Sequence, residues 1–198
     1  MPSGIGGRWE FRETGRSERL VWCAESWSGQ DGRVLIVRAT KKLLRLAGPP
    51  SALDDDRGTT VLGPWYATVL FWRPRVVLLV NEATLLPVLL PLAPASTLTG
   101  RIAEQISTVL AAHDAPAAVI DRERLHMRTT RLGVTANRSV VGVMIDFARL
   151  AEIHHDDDPT VDLVALAVRL ASTPCSPLYG GNTSPDRELA ATLRAITT

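Results

Sequence analysis

The chain has 198 residues, 45% of them hydrophobic and 22% charged, a balance too apolar for a disordered polymer and sufficient for one domain with an appendage. The formal net charge of +1 removes the simplest argument for a nucleic-acid binder, because phosphate affinity is built from accumulated Lys and Arg; only a local patch would serve. Two distant cysteines, Cys23 and Cys175, indicate neither a disulfide framework nor a zinc site, so a reducing cytoplasm is the expected compartment.

Residues 1–33 carry six glycines among balanced charges, with no sustained period of 2 or 3.6 and no apolar signal segment. They are expected to be a poorly ordered leader, or sequence upstream of a true start near Val34. The alternative is that Trp9, Phe11, Val21 and Trp22 form an added strand or packing arm. A single domain is expected over 34–198.

The β-branched run Val34-Leu35-Ile36-Val37 opens that domain as a strand over 34–39, and a short basic helical turn at Lys41–Arg45 ends at Gly48-Pro49-Pro50. After an acidic loop, 65–72 and 75–80 predict a β-hairpin turning at Arg73-Pro74. Residues 84–90 predict a further strand, confined to an edge or bulge by Pro87. The uncharged window Ala83–Gly100 is broken by Pro87, Pro91 and Pro94, which argues against a membrane span.

The second half reads as helical. Leu98, Ile102, Ile106, Val109 and Leu110 form one face of a helix over 98–112, capped by Ser96 or Thr97. Residues 125–132 are a candidate fifth strand. Asn137 or Ser139 is expected to cap a helix over 139–155, buried along Val140, Val143, Met144, Phe147 and Ala151. Asp158-Pro159 is expected to open a helix over 160–171, and Ser184-Pro185 one over 185–196. The fold class expected is α+β, a small antiparallel sheet packed against three to four helices.

Five segments in this order resemble a family: Ile36-Val37-Arg38-Ala39-Thr40-Lys41-Lys42-Leu43-Leu44, Trp65-Tyr66-Ala67-Thr68-Val69-Leu70-Phe71, Val80-Asn81-Glu82-Ala83-Thr84-Leu85, Asn137-Arg138-Ser139-Val140-Val141-Gly142-Val143-Met144, and Thr173-Pro174-Cys175-Ser176-Pro177-Leu178. The family is a bacterial domain of unknown function, whose related stretches also occur ahead of plasmid pRiA4b ORF-3-like domains. The resemblance spans roughly Val34 to Leu178. It implies no activity, cofactor or catalytic residue, and members begin near the first strand, about thirty residues later than this chain.

Candidate site residues follow from polar groups placed where folding alone gives them little to do. Arg38, Thr40 and Lys41, with Lys42 and Arg45, form the densest basic cluster, suited to a phosphate or nucleic-acid backbone; the competing reading is a solvated strand-to-helix connection. Trp65 and Tyr66, with Trp72 among Arg73 and Arg75, are candidates for stacking on bases, against ordinary cross-strand packing. Asn81-Glu82 closes an apolar strand, where the carboxylate would serve as a general base or as a structural partner of Arg38 or Arg138. Asn137-Arg138-Ser139 marks a helix N-terminus, an intrinsic anion site or plain capping.

His154-His155-Asp156-Asp157-Asp158 fits a helix end and the next cap better than a metal site, because adjacent ligands on such a turn seldom converge. No phosphate-loop, dinucleotide, nucleophile-elbow or zinc-protease motif occurs. No cofactor and no metal are therefore expected. The expected function is a non-catalytic binding or regulatory module with a basic and polar patch for an anionic ligand, nucleic acid or a partner protein. The alternative is a hydrolase-like enzyme with Glu82 as base and Arg38 and Arg138 stabilising negative charge.

Overall fold

The computed structural model describes residues 33–52, 58–178, 180–181 and 183–197. The leader expected over 1–33 lies, apart from Arg33, outside the described residues.

β1 (Val34–Ala39) is an interior strand, next to the edge strand β5, of a five-stranded sheet of order β4-β3-β2-β1-β5. Its neighbours β2 (Trp65–Leu70) and β5 (Thr129–Val134) both run parallel to it. β3 (Val76–Asn81) and β4 (Pro87–Pro91) continue the sheet antiparallel. The architecture is α+β as expected, but the sheet is mixed rather than antiparallel. The reason is the connection: α1 (Lys41–Ala47) and the long segment after it carry the chain back, so that β2 starts beside β1 in the same direction, whereas tight turns force β3 and β4 to reverse. All six residues of β3 are buried, so both sheet faces are covered, and a strand buried on both sides reads as one apolar run.

The remaining elements are α2 (Leu98–Ala112), α3 (Ala117–His126), α4 (Arg138–Asp157), α5 (Leu163–Ala171) and α6 (Pro185–Thr197). α2 and α5 pack against β4, α2 also against β5, and α4 lies across β2 and β3. The described residues thus hold six helices, more than the three to four expected. α3 escapes sequence reading because its buried positions are Val119 and Glu123, so a carboxylate stands where an apolar residue would have marked the inner face. The strand expected over 125–132 consequently begins later, at Thr129, after α3 has ended.

Two further boundaries differ. Residues 82–86 form a turn rather than a strand start: the Asn81 side-chain oxygen accepts the N–H groups of Ala83 and Thr84, and Leu85 takes a left-handed φ of 58°. Asp158 does not open α5. α4 runs on to Asp157, so Asp158 caps its C-terminal end and accepts the Thr160 N–H, while Asp162 accepts the Ala165 N–H as the N-cap of α5.

The β4 edge is closed by side chains of α2. Gln105 donates to the Leu89 carbonyl, and Arg101 donates to those of Pro91, Leu92 and Pro94, which leaves few acceptors for another strand. Among the described residues no helix is long and apolar enough to cross a membrane.

Candidate functional site

Alternation along β1 and β2 sorts the candidate residues by face. Arg38 pairs with Tyr66 across the parallel ladder, and Val37 pairs with Trp65. Trp65 and its antiparallel partner Asn81 are completely buried. Trp65 therefore offers no ring face to a ligand. Asn81 uses its side chain on backbone: Nδ2 donates to the Leu62 carbonyl at 2.9 Å, and Oδ1 accepts from the Ala83 and Thr84 N–H groups and the Thr84 hydroxyl.

On the other face the chain assembles a network. The Tyr66 hydroxyl donates to Glu82 Oε1 at 3.3 Å and accepts the Asn137 backbone N–H at 3.1 Å. Asn137 Nδ2 donates to the same Glu82 oxygen at 3.0 Å, while Asn137 Oδ1 accepts from Ser139 and Val140 as the α4 N-cap. One asparagine thus caps the helix and anchors its first turn to the end of β3. Burial raises the Tyr66 pKa, with the Glu82 charge and hydrogen bond acting in the same direction; the Asn137 N–H and the Arg38 charge oppose them.

Arg38 is half-buried beside this network and donates to the Val134 carbonyl at 3.4 Å, with its side chain lying against Gly133. Arg138 and Ser139 are exposed on the first turn of α4, the Ser139 backbone serving the cap. The structure therefore gathers Tyr66, Glu82 and Asn137, sets Arg38 within electrostatic reach of Tyr66, and leaves Arg138 at the surface.

Two residues further along the sheet, about 7 Å away, Thr40 and Thr68 share a hydrogen bond of 3.1 Å between their hydroxyls. They open onto a cleft of about 450 Å³. Lys41 and Lys42, both exposed at the start of α1, form one lip, and Arg149 and Glu152 of α4 form the other. The floor includes Val141, Met144, Ile145 and Ala148. Three cations face one carboxylate there.

Sequence reading found Thr40 and Lys41 but missed the contribution of α4. The signal was present: Val141, Ile145, Ala148, Arg149 and Glu152 recur at i, i+4, i+7, i+8 and i+11, a second helical stripe beside the core stripe. Ile145 is 49% exposed, the mark of an apolar residue outside the core register.

The remaining candidates are placed differently. Trp72 stacks on His155 with ring centroids 4.1 Å apart, and the Arg75 guanidinium lies over the Phe71 ring. Among the described residues no group of three or more His, Cys, Asp or Glu is arranged to hold a metal ion.

A family match covers residues 36–188, through the core strands and the cleft. The chain belongs to the family described as Domain of unknown function (DUF6933). No curated protein and no solved structure matches it significantly.

Proposed function

We propose that this member of the DUF6933 family is a non-catalytic binding module whose ligand is a small anion carrying an apolar body. The carrying observation is the composition of the cleft: Lys41, Lys42 and Arg149 at its rim, against Glu152 alone, over a floor of Val141, Met144, Ile145 and Ala148. A negative group at the rim gains charge-assisted hydrogen bonds, and an apolar body covers a floor that is otherwise wet. The volume lies in the range of small-molecule sites. Thr40 follows the carboxyl end of β1, the side on which open sheets with parallel strands hold ligands.

The network of Tyr66, Glu82 and Asn137 supports this reading as a scaffold. It fixes the N-terminus of α4, and thereby one wall of the cleft. Glu82 Oε1 already accepts two hydrogen bonds, and the tyrosine beside it is buried with its proton held more tightly than usual, a poor arrangement for proton transfer near neutral pH.

Calorimetric titration with decanoate, and separately with inorganic phosphate, tests the proposal. Decanoate is expected to bind, Lys41→Glu combined with Arg149→Glu to abolish binding, and Ile145→Ser to weaken it about tenfold. Phosphate binding as tight as decanoate removes the role of the floor. Unchanged decanoate binding in the charge-reversed variant overturns the proposal.

A further inference from the structure

At the turn between β2 and β3 the chain builds a second cleft, of about 640 Å³, from residues that play no part in the first. Phe71, Trp72, Arg73 and Arg75 line it on one side and Leu92 and Ala95 on the other. Phe71 directly follows a buried strand yet is 59% exposed, the most exposed large hydrophobic residue among those described. Arg75 lies over its ring at 5.9 Å. Arg73 and Arg75 are exposed, and no acidic side chain lines the cleft among the described residues. In a chain of net charge +1, two arginines without a counter-charge around an open aromatic ring are a local concentration of the residue types enriched in interface centres.

We infer that this cleft docks an acidic segment of a partner protein, with one apolar side chain of the partner seated beside Phe71 and flanking carboxylates paired with Arg73 and Arg75. Charge complementarity selects the occupant. Guanidinium groups hold carboxylates through paired hydrogen bonds, and the aromatic floor supplies a single apolar anchor point. Single-stranded nucleic acid needs a succession of stacking rings and a track of cations. Here Trp72 is already stacked on His155, which leaves one ring and two cations. The carbonyls behind the cleft are held by Arg101, so its far wall is fixed in advance of binding.

The test is fluorescence anisotropy of the full chain with three labelled probes: an acidic peptide of about a dozen residues with a central Leu-Phe pair, the same peptide with lysines in place of the acids, and an oligouridylate of similar length. The acidic peptide is expected to bind and the basic one not, with affinity falling as salt rises. Phe71→Ala combined with Arg75→Ala is expected to weaken the acidic peptide about tenfold or more. Since both side chains are exposed, the variant should match the parent in circular dichroism and thermal unfolding. Lys41→Glu with Arg149→Glu, which empties the first cleft, should leave peptide affinity unchanged, so failure there does not bear on failure here. Absence of saturation by the acidic peptide, tighter binding of the oligouridylate, or full affinity in the Phe71 and Arg75 variant would each overturn the inference.

Discussion

Two carboxylates in this protein meet the same physical problem in opposite ways. Glu123 is 1% exposed and accepts the backbone N–H groups of Val61 at 2.9 Å and Leu62 at 2.7 Å. Glu82 is half-buried and holds two side-chain partners, Tyr66 and Asn137, on one oxygen. The first fixes the approach to β2, a task shared with Asn81, which takes the Leu62 carbonyl from the other side. The second connects the end of β3 to the N-terminus of α4 at the margin of the cleft. The comparison teaches that a polar residue near a buried strand is structural when its partners are backbone groups that would otherwise be orphaned, and is available for site-building when its partners are side chains with solvent within reach.

The sharpest way to break that contrast is to delete each acid. Glu123→Ala leaves two N–H groups without their acceptor and is expected to cost about 3 kcal/mol in urea unfolding. Glu82→Ala should cost within about 1 kcal/mol, because solvent can replace it. Equal costs would erase the distinction. Next in size, Asn81→Ala is expected to lose about 2 kcal/mol by freeing the turn before β4 and the Leu62 carbonyl. Asn137→Ala should lose about 1 kcal/mol through the cap, with a loss of decanoate affinity that Asn81→Ala does not share.

A smaller effect separates Tyr66 from the deeper core. Its pKa is raised in the folded chain, so its contribution to stability is present below the unfolded value of 10.0 and is lost as pH rises through the folded value. Unfolding followed from pH 9 to 12 should therefore show a decline above pH 10 that is shallower in Tyr66→Phe. The smallest expected effect is chemical. Burial, aided by Asp146, pushes the Cys175 thiol up to about 11, so at pH 8 a disulfide reagent should modify native protein far more slowly than urea-unfolded protein. Equal rates would show that the loop at 173–178 opens readily.

Much of the architecture was legible because it rests on short-range pattern. The apolar run of β1, the hairpin around Arg73-Pro74 and the stripe of α2 were each placed within a few residues. α3 was not, since its inward face carries Glu123, and a carboxylate that hydrogen-bonds backbone sixty residues away leaves no periodic mark. Of the candidate site, the residues bordering β1 and β3 were visible as polar groups at strand ends. The α4 wall was obscured because its second stripe lies beside a stronger core stripe.

The amino-acid order alone determined which segments bury themselves and the α+β class, because hydrophobic periodicity and turn chemistry act over a few residues. Tertiary structure alone decided that β1 is flanked by parallel strands, that Trp65 and Tyr66 face opposite ways into a core wall and a polar network, and that Lys41 and Arg149 share one cleft. Those relations depend on which distant segments pair and in what register. A shift of one residue would exchange the faces and leave every local pattern intact.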